Sequence, residues 1–160
     1  MDPQTRAALP VLLLPWLCLC AMAAASAAWR SSHGRPVITG RPEEAVFYQG
    51  WASGRSRKNL FTLIFHANNC ITVAVTPTML VILPHFPFNL LFVPQISDLE
   101  HYVPRAAVRV SDIGQWLFRR WVRVEWIGQD GRPGAVDLAL LDPDAFLAAL
   151  GSGGSAAAQN

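Results

Sequence analysis

Two long stretches of the chain are apolar and free of charge, and they read differently. Residues 7–28 (AALPVLLLPWLCLCAMAAASAA) form an uncharged run of 22 residues. About 20 helical residues cross a bilayer core, so the run has the length of one span. Trp29 follows at the place of an interfacial aromatic, and Arg30, Arg35 and Arg41 come after it. Ahead of the run lies only Arg6, opposed by Asp2. The heavier positive flank is C-terminal, which predicts a short N-terminus outside and the rest of the chain in the cytoplasm. The competing reading is a cleaved signal peptide, with LPVLLLPWLCLC as its apolar region and Ala25-Ser26-Ala27 as a small-x-small cleavage pattern. The weakly charged leading segment favours a retained anchor.

The second stretch is different. No Asp, Glu, Lys or Arg occurs between Lys58 and Asp98, yet Pro77, Pro84, Pro87 and Pro94 interrupt it. Each proline removes a donor and obstructs a helix, and the apolar residues are rich in β-branched and aromatic types. A lone hairpin cannot cross a bilayer with open edges. The stretch therefore predicts buried strands at Ile71–Thr76, Met79–Leu83 and Leu90–Val93, the first two joined by a tight turn with Pro77 at its first corner. Further strands are expected at Ala45–Gln49, Leu60–Phe65 (with one helical turn as the alternative), Ala106–Val110, Arg119–Ile127 and Ala135–Leu140. In Arg119–Ile127, Val122, Val124 and Trp126 share one face, while Arg123 and Glu125 mark the wet one. In Ala135–Leu140, Val136, Leu138 and Leu140 face inward and Asp137 outward. Asp130-Gly131 between these two strands is a hairpin signal.

The period changes at the end. Asp142 suits an N-cap, Pro143 a first helical residue, and Asp144 the positive end of the dipole. Phe146, Leu147 and Leu150 form one stripe, and Gly151 stops the helix. The expected architecture is mainly β: a small antiparallel barrel or sandwich of six to seven strands, closed by one C-terminal helix at Pro143–Leu150 and preceded by a transmembrane helix. The segments are an anchor or signal at 1–29, a polar linker at 30–42, a β domain at 43–151 and a flexible tail at 152–160.

The strand run from Ile71 to Leu140, the hairpin at Asp130-Gly131 and the closing helix resemble the bacterial pleckstrin-homology-like domains, which are related in fold to GRAM domains. The likeness is one of architecture over residues 43–151. It implies a binding or assembly module, in many cases membrane-anchored and in some forming rings. The fold has no fixed catalytic or ligand set, so no site residue carries over.

Composition adds limits. The net charge is +2, too small and too scattered to argue for nucleic acid. Of 13 basic residues only Lys58 is lysine, a skew that weakens any argument from one arginine. Cys18 and Cys20 lie in the first apolar run, leaving Cys70 without an intramolecular disulfide partner. Cys70 with His66 or His85 has the residue types of a nucleophilic pair, but no local signature surrounds it, and a small buried Cys opening a strand is ordinary. His85, Asp98, Glu100 and His101 are metal-ligand types at irregular spacing, better read as loop caps or partners of Arg105 and Arg109. No catalytic residue, metal or cofactor is expected.

Three groups remain as contact candidates. The first is the stretch GWASGRSRKN, read as a loop with turn glycines Gly50 and Gly54, in which Trp51 adjoins Arg55, Arg57 and Lys58. Such basic residues beside a bilayer meet anionic headgroups at roughly 1 kcal/mol each. The second is Phe86 and Phe88, which form a wedge if exposed and complete the core if folded back. The third is Trp116 and Phe118 with Arg119 and Arg120. The expected function is a non-enzymatic module of the bacterial inner membrane, binding lipid headgroups, a protein partner or itself. A secreted or periplasmic β-domain protein is the alternative, and a Cys/His enzyme a third reading.

Overall fold

The computed structural model describes residues 3–58, 62, 67–90, 98–116, 119–128 and 130–151. In chain order they form α1 (Pro3–Ser32), β1 (Phe47–Ser56), β2 (Ala67–Val75), β3 (Met79–Pro84), a 3-10 turn (Phe88–Leu90) and β4 (His101–Pro104). A second 3-10 turn (Arg105–Ala107), β5 (Arg109–Trp116), β6 (Arg119–Ile127), β7 (Pro133–Leu140) and α2 (Pro143–Gly151) complete them. The strands make one antiparallel sheet of seven in the order β4-β3-β2-β1-β7-β6-β5. The chain is thus mainly β with a helix at each end. Closure into a barrel is not seen: β4 and β5 are the two edges, and they do not pair with each other among the described residues.

The apolar stretch after Lys58 supplies core. Ile71, Val73, Val75, Leu80 and Ile82 are buried together with Val122, Val124, Val136, Leu138, Leu140 and Phe146. The tight turn forms as the proline placement requires, with the Thr76 N–H donating to the Met79 carbonyl at 2.8 Å. The hairpin between β6 and β7 closes through the Gly128 N–H and the Arg132 carbonyl at 2.8 Å. Gly131 takes φ +75°, where an L side chain is strained. At α2 the Asp142 carboxylate accepts from the Ala145 N–H at 2.9 Å. Arg105 donates to the Ala149 and Leu150 carbonyls at the other end of α2. Each end of this nine-residue helix thus has a side-chain cap.

Several elements depart from expectation. β1 continues through GWASGRS, which was expected to be a loop. The cause lies at Gly54, where a Cβ would stand 2.8 Å from Ile71 Cδ1 and 3.2 Å from the Asp137 carbonyl oxygen. The glycine serves close approach of β1 to both neighbours and makes no turn. β1 is shared, pairing with β2 through Phe47–Gly54 and with β7 through Ser53–Ser56. β4 occupies a stretch expected to be loop, held by pairing with β3. The strand expected at Ala106–Val110 begins only at Arg109, because residues 105–107 turn. Leu90 ends a 3-10 turn instead of opening a strand, and 91–93 lie outside the described residues. So does the strand expected at Leu60–Phe65, apart from Thr62, which is buried.

From Leu13 to Ser32, α1 is long and apolar enough to cross a membrane and is largely uncovered. By length and composition it fits a span or a signal sequence equally. Its covered positions are Ala23, Ser26, Ala27 and Arg30, spaced i, i+3, i+4 and i+7 along one face. The helix rests on the Phe88–Leu90 turn.

Candidate functional site

The seam between α1 and the domain is built on a buried ion pair. Arg30 is fully buried, and its guanidinium donates twice to Glu100, at 2.9 and 3.2 Å. Its Nε donates to the Pro36 carbonyl at 2.9 Å. Arg35 adds a second cation 3.2 Å from the Glu100 carboxylate. The polar stretch that follows is docked: Asn89 Nδ2 donates to the Val37 carbonyl at 2.7 Å, and Thr39 reaches the Pro84 carbonyl. Glu100, expected to serve Arg105 or Arg109, instead serves the end of α1.

The basic candidates divide. Arg55, Asp137 and Arg123 are directly opposite one another across β1, β7 and β6 and so share one face. Arg55, Arg57 and Arg123 all converge on Asp137, at 3.1, 3.3 and 2.8 Å. Asp137 was expected in water. It lies on the expected face, but the three side chains cover it completely. Burial pushes its carboxyl up, yet hydrogen bonds from Arg123 and Arg55 outweigh this and hold it below the usual carboxylate value. The Arg123 guanidinium is correspondingly pushed up by its bond to Asp137. Trp121 lies beneath Arg55, 5.4 Å from the guanidinium carbon. Three guanidiniums on one carboxylate leave this face positive. Lys58 pairs separately with Asp98 at 3.1 Å.

Arg119 and Arg120 are neighbours on β6 and so point to opposite faces. Arg119 donates to Ser53 and Asn69, both at 2.9 Å. Arg120 binds Asp112 and Asp144, both at 2.7 Å, tying β5 to the start of α2. Trp116 ends β5 opposite Arg119 in register. Phe118 lies outside the described residues. Of the third candidate group, Arg119 and Arg120 are thus engaged on different partners.

The aromatic candidates do come together. Trp51 sits at a bulge of β1 with φ +58° and is 54% exposed. Its ring is 4.2 Å from His85 and 6.5 Å from Phe88. His85 Nδ1 shares a hydrogen bond with Thr72 Oγ1 at 2.9 Å. Phe88 packs half-buried on the core, while Phe86 stays 43% exposed. The pair therefore splits between the two expected outcomes.

Of the enzymatic candidates, Cys70 and His85 face each other across β2 and β3, with the His85 backbone N–H donating to the Cys70 carbonyl at 2.6 Å. Cys70 is buried, and burial pushes its thiol up, away from the reactive thiolate. His85 is engaged by Thr72, and His66 lies outside the described residues. His101 bonds the Asp98 carbonyl and packs at a tilt against Trp126, ring centres 4.7 Å apart, with burial lowering its pKa. Among the described residues no three His, Cys, Asp or Glu side chains are grouped to hold a metal. No family model, curated protein or solved structure matches the chain.

Proposed function

We propose that the protein is a non-enzymatic, single-pass module of the bacterial inner membrane, with a pleckstrin-homology-like β domain in the cytoplasm that binds a partner or assembles. The observation that carries this reading is the seam: an uncovered apolar helix enters the domain through a buried Arg30–Glu100 pair. Leu13, Leu14, Trp16, Leu17 and Leu19 are all exposed on that helix, and such a surface needs an apolar surrounding. Seven antiparallel strands ending in a docked helix support the pleckstrin-homology-like assignment. A buried Cys70 with a raised pKa supports a non-enzymatic role. The positive face of Arg55, Arg57 and Arg123 suits an acidic partner, whether a protein surface or anionic headgroups.

The second reading is a secreted protein cleaved after Ala25-Ser26-Ala27. The burial of Ser26 on the domain side of α1 favours retention. Reporters active only in the cytoplasm or only in the periplasm, fused after Asn160, test the topology, with mass spectrometry of the membrane fraction giving the chain length. An intact membrane-bound chain with a cytoplasmic C-terminus is expected. A chain shortened by about 27 residues and soluble outside the cytoplasm rejects the anchor.

A further inference from the structure

Outside α1, eight large apolar residues are exposed among the described residues, and three of them belong to segments bonded to one another near its base. Ile38 is 74% exposed, Trp51 54% and Phe86 43%. Their convergence follows from bonds on either side of each. Ile38 lies between Val37, whose carbonyl accepts from Asn89, and Thr39, whose hydroxyl donates to the Pro84 carbonyl. Phe86 lies on the same segment, between Pro84 and Asn89. Trp51 packs against His85 at a tilt and meets Phe88 edge-on. The Phe88–Leu90 turn at the centre of this group is the surface on which α1 rests. Trp29, 40% exposed, projects from α1 itself.

The height of this group along α1 matters. The covered stripe runs from Ala23 to Arg30, about 10 Å of helix at 1.5 Å per residue. The uncharged run of the helix ends only at Ala28. The flank of the domain therefore climbs alongside the last turns of the apolar run and does not hang below it. Anything at that level beside a membrane helix meets the boundary between headgroups and acyl chains, where apolar and aromatic side chains are favoured over charges.

We propose that Ile38, Trp51, Phe86 and Trp29 form a collar that sits in the interfacial layer of the bilayer that α1 crosses, seating the domain on the membrane in one orientation. The occupant is lipid, because the turn that Trp51 packs on and that follows Phe86 touches α1, whose apolar side chains are exposed above it. The proposal rests on the reading of α1 as a retained span. Seated this way, the domain is no free-swinging tether.

The test uses the full chain with Cys18→Ala and Cys20→Ala, in which the buried Cys70 is protected from labelling. Single cysteines replace Leu17, Ile38, Phe86 or Ile127, and each carries an environment-sensitive fluorophore. The proteins are reconstituted in phosphatidylcholine vesicles with or without lipid bearing a quencher near the glycerol. Labels at 38 and 86 are expected to shift to the blue and be quenched by that lipid. The label at 127, at the exposed end of β6 and outside the group of Ile38, Trp51 and Phe86, is expected to remain water-like. If 38 and 86 are water-like while 17 reports lipid, the collar is overturned and the anchor stands. If 17 is also water-like, the anchor fails and the collar with it. Labels at 38 and 86 shielded from both water and lipid quencher assign the patch to a protein contact and also overturn the proposal. Ile38→Cys decides the matter alone where Phe86→Cys disturbs its loop.

Discussion

At the scale of single residues, Asp137 shows how a charge is kept inside a small sheet. Its carboxylate is inaccessible, while the three guanidiniums around it reach solvent with their outer edges. Removing the acid strands three like charges around one point. Asp137→Asn is therefore expected to destabilise the domain by about 3 kcal/mol, the lower end for breaking a buried pair, because the arginines can rehydrate. The pH dependence has a definite sign. The folded carboxyl is depressed below its usual value, so its contribution is present above about pH 3.9 and is lost as pH falls through the folded value. Denaturant unfolding of wild type and variant should show a gap at pH 7 that narrows below about pH 4; a constant gap would mean that Asp137 matters through shape alone. Cys70 gives a second test at this scale. With its thiol buried and its pKa raised, it should resist alkylation in the native protein in detergent and react on unfolding. Cys70→Ala should leave partner binding unchanged. Rapid native labelling, followed by mass spectrometry, would restore a nucleophile to consideration.

At the scale of elements, β1 carries the most consequence per residue, since it joins the two halves of the sheet. Gly54 permits the join, and Gly54→Ala sets a methyl against Ile71 and the Asp137 backbone. A loss of about 1–3 kcal/mol, read as a lower Tm, is expected from this overpacking. Gly50→Ala carries no such backbone conflict, since Tyr48 ring atoms are its neighbours, and serves as the control. What was legible in the sequence at this scale follows from local physics. Alternation in Arg119–Ile127, the Asp130-Gly131 turn and the Asp142-Pro143 cap each specify geometry within a few residues, and those elements form as read. The hairpin even held the key to the salt bridge: residues pair symmetrically about its turn, which sets Arg123 against Asp137. The misreadings share one cause. Gly54 looks like a turn residue because the groups it approaches, on Ile71, Leu138 and Asp137, lie on other strands, far along the sequence. β4 is four residues long, and it is a strand only because β3 offers an edge. The basic and aromatic parts of GWASGRSRKN separate because Trp51 sits at a bulge, which no local pattern announced.

At the scale of the whole molecule, the question is whether α1 and the sheet move as one body. The Arg30–Glu100 pair spans 70 residues of sequence, so no reading of local pattern could find it. A buried pair of this kind adds little net stability relative to apolar residues of similar volume, but losing one partner is costly. It is therefore better understood as a device that specifies how the helix meets the domain. Glu100→Gln removes the charge, leaving the buried Arg30 guanidinium with neutral acceptors and Arg35 without its anion. The expected result is faster hydrogen exchange of the amides of residues 33–45 in detergent micelles, with the β6–β7 hairpin unchanged. The double variant Arg30→Met with Glu100→Leu should recover most of the protection, because it removes both charges and keeps the volume filled. A strongly non-additive cycle of this form separates an orienting latch from a general contribution to stability. Uniform acceleration across the whole sheet would instead make Glu100 a part of the folding core. Local acceleration would establish that the domain can be released from the base of α1 without unfolding, and that its orientation at the end of the helix depends on two side chains.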